Sequence, residues 1–264
     1  MIRKLLVAVL LLASAALAQA ALYTDVYYDT AEPGWGVFLV QSDTFQFLAF
    51  FIYGPDGKPT WYTAQLVDDG TGNYAGPLYV TTGTYFANPW QGNTIAQVGT
   101  ASFRPSDLFH ATLAYSLTGG PSVSKAIQRQ TLVTFDMSGN YSGSVAGSVT
   151  GCTNPANNVA SLAGRFNLAL SQVGDASAAL TFTFVDNTYT GTVCTLSGPL
   201  THYGLLYTMP SAQYSCTGSG FSPGAIVSAA IDSLHEAGQG VEGRWTATTS
   251  TGCSQSIRFA SVLR

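Results

Sequence analysis

The sequence predicts an all-β protein built as two small antiparallel β-barrels or barrel-like sandwiches in tandem. Charged residues make up only 9% of the 264-residue chain, while aromatics reach 12% and glycines number 28. That balance suits sheet surfaces and tight turns better than helices held by ion pairs. Apolar side chains recur at every second residue over most of the chain, which is the period of strands. All four cysteines, Cys152, Cys194, Cys216 and Cys253, fall in the C-terminal half, separating a cysteine-free part from a cysteine-bearing one.

The first segment reads as an export signal. Arg3 and Lys4 precede an apolar run over residues 5–12, and small residues follow through Ala20. These are the charged, apolar and small-residue regions of a secretory signal peptide. Residues 1–20 are expected to be removed, with cleavage after Ala20 or after Ala18. The apolar run is shorter than the about 20 residues a spanning helix needs, and no cysteine follows the cleavage region to carry a lipid. Loss of Arg3 and Lys4 leaves 8 of the 10 basic residues against 14 acidic ones, a formal charge of −6. With no Lys/Arg cluster to neutralise phosphates, nucleic acid is not an expected partner. The expectation is an exported chain, periplasmic or extracellular, with no transmembrane helix.

In "GVFLVQ", Val37 and Leu39 alternate with Phe38 and Val40. In "FQFLAFFIY", Phe45, Phe47, Ala49, Phe51 and Tyr53 share one face, and Leu48, Phe50 and Ile52 the other. That strand is expected to be central, or to lie between a barrel interior and a neighbouring layer. Ser42 and Asp43 turn the first pair. "GPDGKP" makes the next hairpin loop, with φ preset at Pro55 and positive at Gly57, and a third strand starts at Thr60 or Trp61. "GPLYVTT", "AQVGTASF", "HATLAYSL" and "SVSKAIQRQTL" supply further strands between "DDGTGN", "NPWQGN" and "TGGPS". Seven or eight strands in about 115 residues fit an up-and-down barrel or a sandwich, and closure would remove the sheet edges.

The first domain is therefore read over residues 22–135, with a seam near 135–140, and the second over 136–264, where the same texture continues. In "SPGAIVSAAIDSLHEAG", Ile226, Ala230, Ile231 and Leu234 follow helical spacing, with Ser222 as N-cap, Pro223 at the first helical position and Gly238 as a stop. The same residues also alternate, so helix and strand both stay open there. A membrane barrel would share the alternation, but the cysteines, the strand apolar on both faces and the ending "SVLR" argue against it. Four cysteines in an oxidising compartment imply two disulfides in one of three connectivities. The preferred pairing is Cys152 with Cys194 and Cys216 with Cys253. No close Cys pair or nearby His pair offers a zinc site, and neither metal nor cofactor is expected.

The segment "YYDTAEPGWGVFLVQSDTFQFLAFFIYGPDGKPTWYTAQL", followed by "GPLYVTTG", "VGTASF" and "SKAIQRQ", resembles a motif of uncharacterised exported β-rich proteins of Gram-negative bacteria. The likeness covers residues 22–133 and is most specific in its first forty. Thr30 departs from it, near a place where those proteins often carry proline. The cysteine-bearing half is more loosely similar to the region that follows in some of them. The resemblance implies export and β architecture; it brings no activity with it.

Few residues suggest catalysis. Asp25, Asp29 and Glu32 are close enough in sequence to act as acid and base or to hold a cation. The preferred reading gives Glu32 a turn-fixing role, its carboxylate accepting backbone N–H bonds ahead of the first long strand. Asp68 and Asp69 lack the spaced ligand series of a calcium loop and read as a solvated turn. His110, His202 and His235 stand in unrelated contexts, and no GxSxG marks a nucleophile. A hydrolase would need one of these histidines within hydrogen-bond reach of a serine or carboxylate in a cleft.

The aromatics offer more. Trp35, Trp61, Tyr62, Tyr85 and Trp90 fall at turns or strand ends, where rings either stack on a ligand or seal the core. Lys125, Ile127 and Arg129 share a strand face; if it points inward, the two cations need an anionic partner, which Asp25, Asp29 or Glu32 could be. The expected function is a non-enzymatic exported module binding a small or glycan-like ligand in a barrel, with Glu32, Trp35, Trp61, Tyr62, Lys125 and Arg129 as candidate contacts. The alternative is a structural or interaction protein of the cell envelope without a small ligand.

Overall fold

The structure is a computed structural model that describes residues 22–186, 189–218 and 224–264. The export signal at residues 1–20 and the cap at Ser222 and Pro223 lie outside the described residues. The protein is all-β, with two large antiparallel sheets, and the chain divides into two units between Ile127 and Gln128.

The first sheet comprises β1 (Asp25–Tyr28), β2 (Gly36–Ser42), β3 (Phe45–Tyr53), β4 (Pro59–Asp68), β5 (Tyr74–Gly83), β6 (Asn93–Pro105), β7 (His110–Leu117) and β8 (Ser122–Arg129). Its strands follow chain order around a closed barrel. The hairpins form where turn chemistry permits: Asp43 takes φ 54° between β2 and β3, and Gly57 takes φ 71° between β3 and β4, the left-handed region that Asp and Gly tolerate best. Val37, Leu39, Leu48, Phe50, Leu66 and Phe103 fill the barrel, each at most 1% exposed.

The opposite face of β3 has no covering layer: Phe45 is 38% exposed, Phe47 39% and Tyr53 57%. With Phe38 and Val40 on β2 and Trp61 and Val67 on β4, also exposed, they make an apolar outer wall of three strands. Outward positions on β7, β8 and the part of β6 that pairs with β7 are mostly small or polar, including Thr100, Ser102, Thr112, Ser116 and Ser124. The exterior is thus apolar on one side only, unlike the encircling band of a transmembrane barrel. Among the described residues no helix is long and apolar enough to cross a membrane.

The second sheet has ten strands: β9 (Gly139–Thr150), β10 (Val159–Val173), β11 (Ser177–Phe184), β12 (Val193–Pro199), β13 (Thr201–Tyr203), β14 (Leu206–Met209), β15 (Gln213–Thr217), β16 (Ile226–Ala237), β17 (Gly240–Thr249) and β18 (Ser254–Leu263). Their order is β13-β14-β16-β17-β18-β9-β10-β11-β12-β15. The sheet curls around Trp245, which is fully buried with Phe182 of β11 at 5.1 Å and Tyr214 of β15 at 6.4 Å between ring centres. Near its two ends the Ala212 N–H donates to the Ala229 carbonyl at 2.9 Å, yet β13 and β15 remain as termini of the pairing. The second unit is a curled ten-stranded sheet without the unbroken pairing of the first, so the expectation of two barrels holds in this coarser form.

The chain leading into this unit docks on it. Met137 is buried in the second core, its N–H donates to Gln172 Oε1 at 3.0 Å, and the Phe135 N–H donates to the Tyr207 hydroxyl at 3.1 Å. The division therefore falls upstream of the seam expected near 135–140.

Two sequence expectations resolve here. The ambiguous segment is strand β16, and its buried residues Ala229, Ile231 and Leu234 change spacing from two to three because the register against β17 shifts between Ile231 and His235. A bulge flips the inward parity, which imitates a helical period in the sequence. The preferred disulfide pairing is overturned: Cys152 joins Cys253 and Cys194 joins Cys216. Cys194 and Cys216 are directly opposed across β12 and β15. Cys152 follows β9 and Cys253 precedes its neighbour β18, where Thr150 faces Ser254. Two disulfides with no free cysteine fit an oxidising, non-cytoplasmic setting.

Candidate functional site

A cavity of about 270 Å³ opens in the first barrel, lined by Glu32, Trp35, Phe50, Ile52, Tyr53, Leu113, Tyr115, Val123 and Lys125. Two-residue periodicity builds it. Phe50 and Ile52 follow Leu48 on the inward face of β3, Leu113 and Tyr115 share the inward face of β7, and Val123 and Lys125 lie in step with buried Ile127 on β8.

The connection between β1 and β2 carries the remaining wall. Asp29 shapes it, its Oδ1 accepting from the Ala31 N–H at 2.9 Å and its carbonyl from the Glu32 N–H at 3.2 Å. The turn-fixing role expected of the Glu32 carboxylate therefore belongs to Asp29. Glu32 instead points its carboxylate at Lys125, whose Nζ donates at 2.5 and 2.7 Å, and at the Trp35 indole N–H at 3.3 Å. The Tyr53 hydroxyl donates to the Gly34 carbonyl at 3.0 Å, tying the end of β3 to the same connection.

Hydrogen bonding from Lys125 holds the Glu32 carboxyl below its usual range, and hydrogen bonding from Glu32 raises the lysine. Both are thus charged at neutral pH. Burial raises the Tyr115 phenol, which stays a neutral hydroxyl. The site offers aromatic faces, an aliphatic floor and one ion pair, a set suited to a compact ligand with an apolar face and a few polar groups.

Of the six candidate residues, Glu32, Trp35 and Lys125 meet at this cavity. Tyr62 packs against its wall, 6.0 Å from Tyr115 between ring centres. Trp61 lies on the outside of the barrel, 58% exposed and edge-on to Phe51 at 4.4 Å, because it is one residue out of phase with Tyr62. Arg129 is buried at 2% exposure with partners of its own and does not line the cavity. Sequence reasoning missed Tyr53, Tyr115 and Val123. Tyr115 and Val123 could have been found from the periods of β7 and β8; Tyr53 could not, since its strand face points outward and only the hydrogen bond to Gly34 draws it in.

The histidines are accounted for elsewhere. His110 Nδ1 lies 2.9 Å from Asp107, whose Oδ1 also accepts the Phe109 and His110 N–H groups at 2.7 Å each, so the pair fixes a turn. His202 has a side chain 4% exposed, stacked on Tyr207 at 3.9 Å and 3.2 Å from Asp175 Oδ1. That is ion-pair distance without hydrogen-bond alignment. His235 Nδ1 lies 3.0 Å from the Ser233 carbonyl oxygen. None of the three lines the cavity. Asp68 and Asp69 close their own loop, accepting from the Gly70, Gly72 and Thr71 N–H groups. Among the described residues no group of three or more His, Cys, Asp or Glu side chains is placed to hold a metal ion. Comparison with protein-family models, with curated proteins and with solved structures finds no match for this chain.

Proposed function

We propose that this is an exported, non-enzymatic binding protein whose first barrel takes a small or glycan-like ligand at the cavity beside Glu32 and Lys125. The observation that carries the reading is the joining of an ion pair to aromatic side chains at one opening: Trp35, Tyr53 and Tyr115 line it beside the charged pair Lys125 and Glu32. Sugars and other compact polyols use that combination, an apolar ring face with polar edges. Export is supported by the signal-like N-terminus and by the disulfides, and the likeness of residues 22–133 to exported proteins of Gram-negative bacteria agrees with it.

Native mass spectrometry of protein purified from its own host tests the reading. The expected result is a small-molecule adduct on the wild type that is lost in Trp35→Ala and Lys125→Ala. A wild type without adduct, and without a thermal shift against a panel of mono- and disaccharides, overturns it. The alternative, an interaction protein of the envelope, draws its support from the apolar outer wall of β2 to β4.

A further inference from the structure

We infer that the β5–β6 hairpin is a finger that seats its aromatic tip in the interfacial zone of a lipid bilayer. The two strands pair with each other from Tyr74 opposite Phe103 out to Gly83 opposite Asn93. Their other neighbours stop short: β4 reaches only Tyr79 of β5, and β7 reaches Gly99 of β6, with the Thr118 N–H just after it donating to the Val98 carbonyl at 2.8 Å. Beyond those points each strand has only the other. From residue 81 through 97 every residue is exposed except Thr84 and Gly92, which are half-buried. The arm therefore stands off the barrel with water on both faces.

At its end Tyr85 is 72% exposed, Phe86 102% and Trp90 71%. Rings left in water on a convex tip are neither core nor the wall of a small-molecule site, which is concave. Tyrosine and tryptophan favour the membrane–water boundary, where an apolar ring and a polar edge are both satisfied. No Asp, Glu, Lys or Arg occurs between Asp69 and Arg104, so insertion desolvates no charge and attraction does not depend on one.

The neck of the tip and one turn within it are hydrogen-bonded internally. The Thr84 N–H and hydroxyl both donate to the Gly92 carbonyl, at 3.2 and 3.1 Å, the Gln91 N–H donates to Thr84 Oγ1 at 2.9 Å, and the Asn88 N–H to the Tyr85 carbonyl at 2.9 Å. Thr82 and Thr94 hydroxyls bond across the stem at 2.6 Å. Pairing of this kind lowers the cost of moving backbone out of water, and the interfacial zone leaves the remaining polar groups hydrated. Area argues against a protein partner: three rings of about 150–250 Å² each fall short of the about 800 Å² a stable interface buries per side, whereas a bilayer has only to cover the rings.

The test uses the full chain and vesicles of pure phosphatidylcholine. Wild type is expected to co-sediment with them and to shift its tryptophan emission to the blue, with less than about a twofold change when salt rises from about 0.1 M to 1 M, since charge is not the driving force. The double variant Phe86→Ser, Trp90→Ser should lose at least about tenfold in vesicle affinity, because affinity scales with the apolar area inserted. Both positions are exposed, and an unchanged circular dichroism spectrum verifies the fold. Trp61→Ser, on the outer wall of β4, should bind like wild type. The inference fails if wild type does not sediment with phosphatidylcholine or if the double variant binds as well as wild type. It fails equally if binding requires phosphatidylglycerol and disappears at high salt.

Discussion

Asp175 holds the second unit's leading segment through a small polar cluster. Burial acts to raise its pKa, but His202, the Tyr207 hydroxyl at 3.0 Å and the Thr134 hydroxyl at 3.0 Å outweigh that, and the net shift is downward from 3.8. A lowered folded pKa stabilises the protein above the unfolded value and loses that contribution as pH falls through the folded one. Asp175→Asn should therefore lower stability by a constant amount above about pH 5, with the gap to wild type closing below about pH 4. Urea midpoints across that range check it; a gap that widens on acidification would contradict the assignment.

Single residues also set the limits of what sequence could reveal. The shared face of Lys125, Ile127 and Arg129 was legible from a two-residue period, as was its need for acidic partners. That Glu32 would reach Lys125 was not, because the contact spans 93 residues and depends on the closure of the barrel.

Strands were readable wherever alternation ran unbroken, as along β2 and β3, and unreadable where a bulge reset it, as in β16. Gly99 marks another such place. It sits beside the register shift between β5 and β6, and a Cβ there would run into the Ser116 carbonyl oxygen of β7. Gly99→Ala should cost about 1–3 kcal/mol as overpacking against fixed backbone, read as a lower urea midpoint at unchanged slope. Sheet order was equally hidden, and with it the disulfides, since β9 meets β18 and β12 meets β15 only in three dimensions. The bridges close spans of 101 and 22 residues. In a chain-entropy account these restrict the unfolded state by about 4.7 and about 3.4 kcal/mol. Paired alanine variants should rank in that order, Cys152/Cys253 being the more damaging, by equilibrium unfolding without reductant.

For the whole molecule, the two units should respond separately to damage. A chain ending at Ser250 lacks Cys253 and β18, which stands between β9 and β17. It is expected to keep a protease-resistant barrel while the second unit is digested, and limited proteolysis followed by mass spectrometry reads this directly. Loss of both units together would mean that they unfold as one.

The seating of β18 between strands from opposite ends of its unit also orders events during folding. Until β18 is in place, the second sheet lacks the strand that pairs β17 with β9. Cys194 and Cys216 can bridge as soon as β12 and β15 meet, while Cys152 waits for a thiol 101 residues downstream. A premature bond between Cys152 and Cys194 is the natural error, so maturation of this unit should quicken with a disulfide isomerase, whereas the cysteine-free barrel needs none.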